Sequence, residues 1–134
     1  MTDFTLRNVA DIEDMAPKFG QGEFFEARFA TKPLGCEQTG LLHITVKPNQ
    51  ASPFAHRHVE QEELYYVLDG SGELLIGETV QPIRAGDVVR ITPSVVRSLR
   101  AGDTGVTVLC FGAPAMSGGS NDAKMVEADW PEDA

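Results

Sequence analysis

His56 and His58 stand two residues apart in the run Ala55-His56-Arg57-His58-Val59-Glu60-Gln61-Glu62-Glu63. On an extended strand such residues point the same way, so both imidazoles project to one side. A second strand-like run begins at Glu63 and continues through Tyr65 and Val67 on the same face. If the two strands pair, a carboxylate comes to lie opposite two imidazoles. That set can hold a divalent metal: neutral imidazole suits Fe, Ni, Cu, Zn or Mn, and the carboxylate supplies charge. The pair alone says little, because most His-x-His pairs are surface or hydrogen-bonded core residues. The carboxylate and the β-run that follow in order give it weight.

The elements around these residues read as strands. Phe24 to Ala30, Leu41 to Val46, Glu63 to Leu68, Gly72 to Ile76, Asp87 to Thr92 and Val106 to Phe111 are β-rich. Lys47-Pro48-Asn49, Asp69-Gly70-Ser71-Gly72, Ala85-Gly86-Asp87 and Ala101-Gly102-Asp103 separate them as turns. Short strands at regular spacing with such breaks predict an all-β sandwich or barrel. Asp69-Gly70-Ser71-Gly72 reads as a tight hairpin, and Glu78 to Arg84 as a short strand after it. Helix signals are confined to Val9 to Met15, where Pro17 sets a limit. Lys124 to Val126 is a candidate last edge strand, and Trp130 a tail anchor that docks on the barrel. The expected layout is one domain over 1–134, with a barrel core at about 22–112 and a tail at 113–134.

The chain has 134 residues and a net charge of −9. That acidity repels phosphate backbones and anionic lipid, so neither nucleic acid nor a membrane is an expected partner. The acidic residues crowd toward both ends and read as solvated. Two distant cysteines, Cys36 and Cys110, form no disulfide framework. The first residues lack a secretory pattern, and no apolar run nears the ~20 residues that span a bilayer. The expected location is the cytoplasm. Sequence signatures of nucleotide loops, serine-nucleophile elbows and Cys-x-x-Cys sites are absent.

One family likeness is specific. His56-Arg57-His58, then four residues, Glu63, then six residues and Gly70 resembles the first cupin motif. Gly86-Asp87-Val88-Val89-Arg90-Ile91-Thr92-Pro93 resembles the opening of the second. The likeness runs over about residues 40 to 112. It implies a cupin double-stranded β-helix, a jelly-roll barrel with a ligand cavity in its mouth. It also implies that His56, His58 and Glu63 are metal ligands, with Glu62 the competing carboxylate. Two positions depart from the pattern: Gln50 replaces a glycine, and Arg97 stands where the family's fourth ligand, a histidine, would be.

Arg97 leaves two uses open. A guanidinium cannot ligate a cation and repels one nearby. It can pair with Glu63 or Glu62 inside the barrel, or anchor a ligand carboxylate or phosphate at the cavity floor. His56, His58, Arg97, Tyr65 and Glu62 are thus the expected ligand contacts, with Val67, Leu99 and Phe54 in the lining. His43 is expected to keep an ordinary hydrogen-bonded role, and Arg90 and Arg100 to face solvent. Three functions fit. One is a small-molecule binder of an acidic or polyhydroxylated compound. Another is a metal-dependent dioxygenase or isomerase using Fe, Mn, Ni or Zn. The third is a structural cupin with a vestigial site. A homodimer is expected, with Phe4 to Val9 and Lys124 to Val126 as candidate exchanged edges.

Overall fold

The computed structural model describes residues 3–115 and 122–131. Among them eight strands form one curled sheet: β1 (Phe25–Phe29), β2 (Gly40–Val46), β3 (Phe54–His58), β4 (Glu62–Ile76), β5 (Thr79–Arg84), β6 (Val88–Ile91), β7 (Arg97–Ala113) and β8 (Ala123–Glu127). All pairings are antiparallel, and β7 is the shared spine. Val106 to Gly112 pair with β2, Arg97 pairs with His56 of β3, and nearly the whole strand pairs with β4. The alternating pattern of β4 turns Glu63, Tyr65 and Val67 inward and leaves Glu62, Leu64 and Tyr66 exposed. Those inward apolar side chains meet Val46, Leu74, Ile91, Val106 and Val108 in the core. Parity on a pleated strand therefore both fills the barrel and aims the carboxylate.

Two expected turns are not turns. Asp69-Gly70-Ser71-Gly72 lies inside the 15-residue β4, and Ala101-Gly102-Asp103 lies inside the 17-residue β7. The ladder between them shifts register at Val67/Asp69 and Gly70/Gly72. Gly70 has φ +77°, as bulges with left-handed backbone require. At Gly72 the requirement is space: a Cβ there would fall 2.2 Å from the Arg100 carbonyl oxygen. These glycines bend two long strands past each other at close range, and the barrel curls at that point. The hairpin turn proper is at Gly77, φ +62°, between β4 and β5. Gly72→Ala should accordingly destabilise the fold by about 3 kcal/mol through overpacking, measured as a lowered urea midpoint. A midpoint within error of the parent would mean that the strands separate freely here.

The ends differ from expectation in part. The helical signal at Val9 to Met15 yields only a single 3-10 turn, Val9–Asp11. Phe4 to Val9 forms no strand, and Phe4 and Leu6 are exposed. The last strand does form and pairs along β3, setting Met125 opposite His56 and Ala123 opposite His58. Trp130 docks as a tail anchor: its indole donates to the Ser52 carbonyl at 3.3 Å, and the Arg100 guanidinium lies 4.5 Å over its ring. Arg100 is therefore not a solvent-facing turn residue. It is half-buried in β7 and paired with Glu73 at 2.8 Å. Arg90 does face solvent.

Candidate functional site

β3 and β4 do not pair with each other; both lie against β7, and β3 also lies against β8. Glu63 consequently reaches the histidines across the barrel interior rather than from an adjacent strand. The result is still a tight cluster. One ligating atom each from His56, His58 and Glu63 all lie within 4.8 Å of one another. Glu63 Oε1 is 3.3 Å from His56 Nε2 and 3.1 Å from His58 Nε2. The imidazoles meet edge to face, with centroids 5.1 Å apart.

His58 is oriented from behind. Its Nδ1 is 2.9 Å from Asp122 Oδ2, and the same carboxylate accepts from the backbone N–H groups of Glu60 at 2.7 Å and Gln61 at 3.2 Å. A proton on Nδ1 satisfies Asp122 and leaves the Nε2 lone pair turned to the site. That buried Nε2 has no hydrogen-bond partner among the described residues, although Glu63 Oε1 is near. In that neutral tautomer the lone pair repels the carboxylate oxygen, and a metal cation between them removes the repulsion. In the doubly protonated imidazolium the Nε2–H instead points at Glu63, the state in which His58 depresses the Glu63 carboxyl. Donor atoms ~2.0–2.1 Å from a shared ion sit roughly 2.8–3.4 Å apart in octahedral to tetrahedral arrangements. The two contacts to Glu63 Oε1 match that spacing. The chemistry of the donor set and the orphaned nitrogen both fit a divalent ion.

Both carboxylates are held in their charged form. Burial acts to raise the Glu63 carboxyl, but hydrogen bonds and charge from His56 and His58 outweigh it and hold the group far below the usual carboxylate range. Burial acts the same way on Asp122 and is again outweighed, here by the Glu60 and Gln61 N–H groups and by His58. Carboxylates depressed in the folded state contribute stability that is complete above their ordinary pKa of about 4 and is lost as pH falls through the folded values. Through these two carboxylates, metal-free protein held in chelator should lose stability, read as its urea midpoint, progressively as the pH falls below about 4. A midpoint that holds steady down to about pH 3 would mean that neither carboxylate is paired in the folded protein.

A family profile described as a cupin domain matches residues 42–112, just over half of the chain. The chain belongs to the cupin family. An uncharacterized protein of Methanocaldococcus jannaschii is 26% identical over 77 residues, which are 57% of this cupin and 62% of that protein. The match thus covers less than two thirds of the relative's length. The crystal structure of a cupin protein from Bacteroides fragilis superposes with a TM-score of 0.70 at 23% identity, covering 87% of this chain and 89% of that one. A variant of the Streptomyces nucleoside dehydratase Pac13, solved with uridine, gives a TM-score of 0.72 at 16% identity over 95% and 93% of the two chains. At such identities the likeness shows the barrel and nothing finer.

In this cupin the fourth-ligand position holds an arginine that lies buried behind Glu63 and does not line the cavity. Arg97 is fully buried. It donates to Glu63 Oε1 at 2.9 Å and to the carbonyl oxygens of Pro93 and Val95 at 3.1 and 2.6 Å. Fully buried and off the cavity wall, it is not placed to anchor a ligand carboxylate at the cavity floor. Tyr65 is likewise displaced from the expected ligand contacts. It is buried in the core, where burial raises its phenol, as do the neighbouring Cys110 and Glu63, against the lowering effect of Arg97. Glu62 points outward and lies 3.9 Å from Arg90, because strand parity gives the inward face to Glu63. Val67 and Leu99 belong to the core rather than to the lining. His43 lies opposite Leu109 and Arg28, outside the cavity. Phe54 does line it.

The cavity measures about 650 Å³ and is walled by Phe25, Phe29, Leu42, Ile44, Phe54 and Met125, with His56, His58 and Glu63 at its polar patch. Asp122 went unread in the sequence. It sits 64 positions from His58, beyond a Gly/Ser-rich stretch, and nothing local marks it as other than one more tail acid. Asp122→Ala should weaken transition-metal binding by about 10–100-fold, as loss of a carboxylate behind a ligating histidine does. Competition against a colorimetric chelator measures this, and an unchanged affinity would mean that His58 is oriented without Asp122.

Proposed function

We propose that this cupin is a small-molecule-binding protein that holds one divalent transition metal, of the Fe, Mn, Ni or Zn class, on His56, His58 and Glu63. The observation that carries the reading is the buried His58 Nε2, fixed by Asp122 and aimed without a hydrogen-bond partner at Glu63 Oε1. Charge supports it too. Arg97, Glu63 and Asp122 sum to one net negative charge, so the guanidinium is already neutralised before a cation arrives. Three protein donors leave coordination positions open toward the cavity, where a bound metal supplies a Lewis acid that polarises an oxygen of the ligand. The chain's own residues shape the cavity, exclude water and fix the ligand's orientation. His56 is the more exposed imidazole, 26% at the side chain against 9% for His58, and is placed to contact the bound molecule.

A metal-free binder is the second reading. It is favoured by the Arg97 contact, which already satisfies Glu63 Oε1 at 2.9 Å. Metal analysis of protein purified without a histidine tag separates the two. Near-stoichiometric transition metal that is lost in His58→Ala supports the first. Stripped protein that takes up no added Zn²⁺, Ni²⁺, Mn²⁺ or Fe²⁺ supports the second. The described residues contain no helix long and apolar enough to cross a membrane. Homodimerisation belongs to the same proposal, supported by β8 lying at one end of the sheet and by the exposed Phe4 and Leu6. Light scattering on the eluting peak reads the mass directly.

A further inference from the structure

The cavity wall restricts what can bind, beyond the metal reading on which this inference rests. Apart from the His56/His58/Glu63 cluster and Asp122 behind it, the polar side chains on the wall are Gln21, Thr31, Lys32, Ser52 and Gln61. Most are engaged with the chain's own backbone. Thr31 Oγ1 accepts from Leu41 N–H at 2.9 Å, and Ser52 Oγ donates to the Phe54 carbonyl at 2.9 Å. Gln61 Nε2 donates to the Pro114 carbonyl at 3.1 Å, and Gln21 Nε2 to that of Phe19 at 3.5 Å. Gln21 Oε1 has no partner, but it is shut off from any water-sized contact. A sugar, nucleoside or polyol in this space would surrender its water hydrogen bonds to aromatic and aliphatic surface. Among the described residues, the metal-bearing patch and Lys32, the one lysine or arginine on the wall, are the main groups left to meet a charged ligand group.

Charge sets the sign of that group. A dication added to the net single negative charge of Glu63, Asp122 and Arg97 leaves one positive charge in the largely apolar interior, while the charge of Lys32, which is exposed, is screened by solvent. One negative charge on the ligand cancels it, and two or more would overshoot. We infer that the natural ligand is an amphipathic organic monoanion: one carboxylate or enolate head on the metal at His56, His58 and Glu63, and an aromatic or branched aliphatic body against Phe25, Phe54, Leu42 and Ile44. A volume of about 650 Å³ suits a single molecule of this kind with little room for a long chain.

The test uses full-length protein loaded with Co²⁺ or Ni²⁺, its metal content measured first, and calorimetric titration with 4-phenylbutyrate, acetate and uridine. The expected result is 4-phenylbutyrate binding at least about 100-fold tighter than acetate, from burial of its phenyl and methylene groups. It should also change the visible Co²⁺ spectrum, while uridine shows no measurable binding. Phe54→Ala should weaken 4-phenylbutyrate about 10-fold and leave acetate unchanged. Loaded protein that binds uridine more tightly, or binds the two acids alike, overturns the ligand class and leaves the metal site standing. Equal 4-phenylbutyrate binding to loaded and stripped protein, or a silent Co²⁺ spectrum, overturns the head-group placement. Protein that retains no metal overturns the metal reading, and this inference with it.

Discussion

Glu63→Ala should cost the fold about 3–5 kcal/mol, the range seen when one partner of a buried ion pair is removed. The reason lies with Arg97. Its side chain is fully buried, and among the described residues Glu63 Oε1 is its only anionic contact. The Pro93 and Val95 carbonyls can solvate the guanidinium in part but cannot neutralise it. Its Nε already lacks a hydrogen-bond partner among the described residues. Take the carboxylate away and a permanent charge is left in the barrel, since arginine does not deprotonate to escape. Glu63→Gln keeps an acceptor oxygen and should cost less. The double variant Glu63→Leu/Arg97→Met removes both charges and should recover most of the loss, because the pair is a mutual necessity more than a net source of stability. Urea unfolding of metal-free protein measures all three. A loss below about 1 kcal/mol in Glu63→Ala would mean that the pair is not formed in solution.

The same substitution shows how much of the site the sequence carries. Parity on the strand from Glu63 to Val67 separates Glu63 from Glu62, and burial in β4 follows that parity from Glu62 to Val67. His56 and His58 share a face for the same reason. Legible too is the place of Arg97 in the cation-binding slot, because it is a matter of order along the chain. The direction of its side chain is not: it depends on two carbonyls in the loop before β7 that no pattern announces. Glycine misled twice. A Gly-x-Gly signal stands equally for a turn with positive φ and for two backbones passing within touching distance, and Gly70 and Gly72 serve the second purpose. With that hairpin unmade, β4 and β7 become long strands, β3 loses β4 as a neighbour, and the carboxylate approaches across the barrel instead. Asp122 lay beyond reach because its role depends wholly on a contact closed through tertiary structure.

Arg97→His should raise divalent-metal affinity by at least about 100-fold. Arg97 is the direct partner of His56 in the β3–β7 ladder, so a side chain at 97 leaves the sheet on the side of the His56 imidazole. An imidazole there brings a fourth donor to the cluster. It also removes a fixed cation whose repulsion of a dication at ~5 Å amounts to several kcal/mol at an effective dielectric constant of about 20. The exchange has a cost that runs the other way. Histidine is shorter, so a void opens beside Pro93 and Val95, and Glu63 loses its 2.9 Å donor. The metal-free variant should therefore melt below the parent, and added Zn²⁺ should reverse the order, since a ligand bound only by the folded state stabilises it in proportion to the logarithm of its free concentration relative to its Kd. Arg97→Lys keeps the charge and adds no donor, so it should bind metal no better than the parent. The crossing of the melting temperatures, more than either shift alone, distinguishes a gained ligand from a merely repaired or damaged core. Equal Zn²⁺ affinities in Arg97→His and Arg97→Lys would place the guanidinium outside the field of the site.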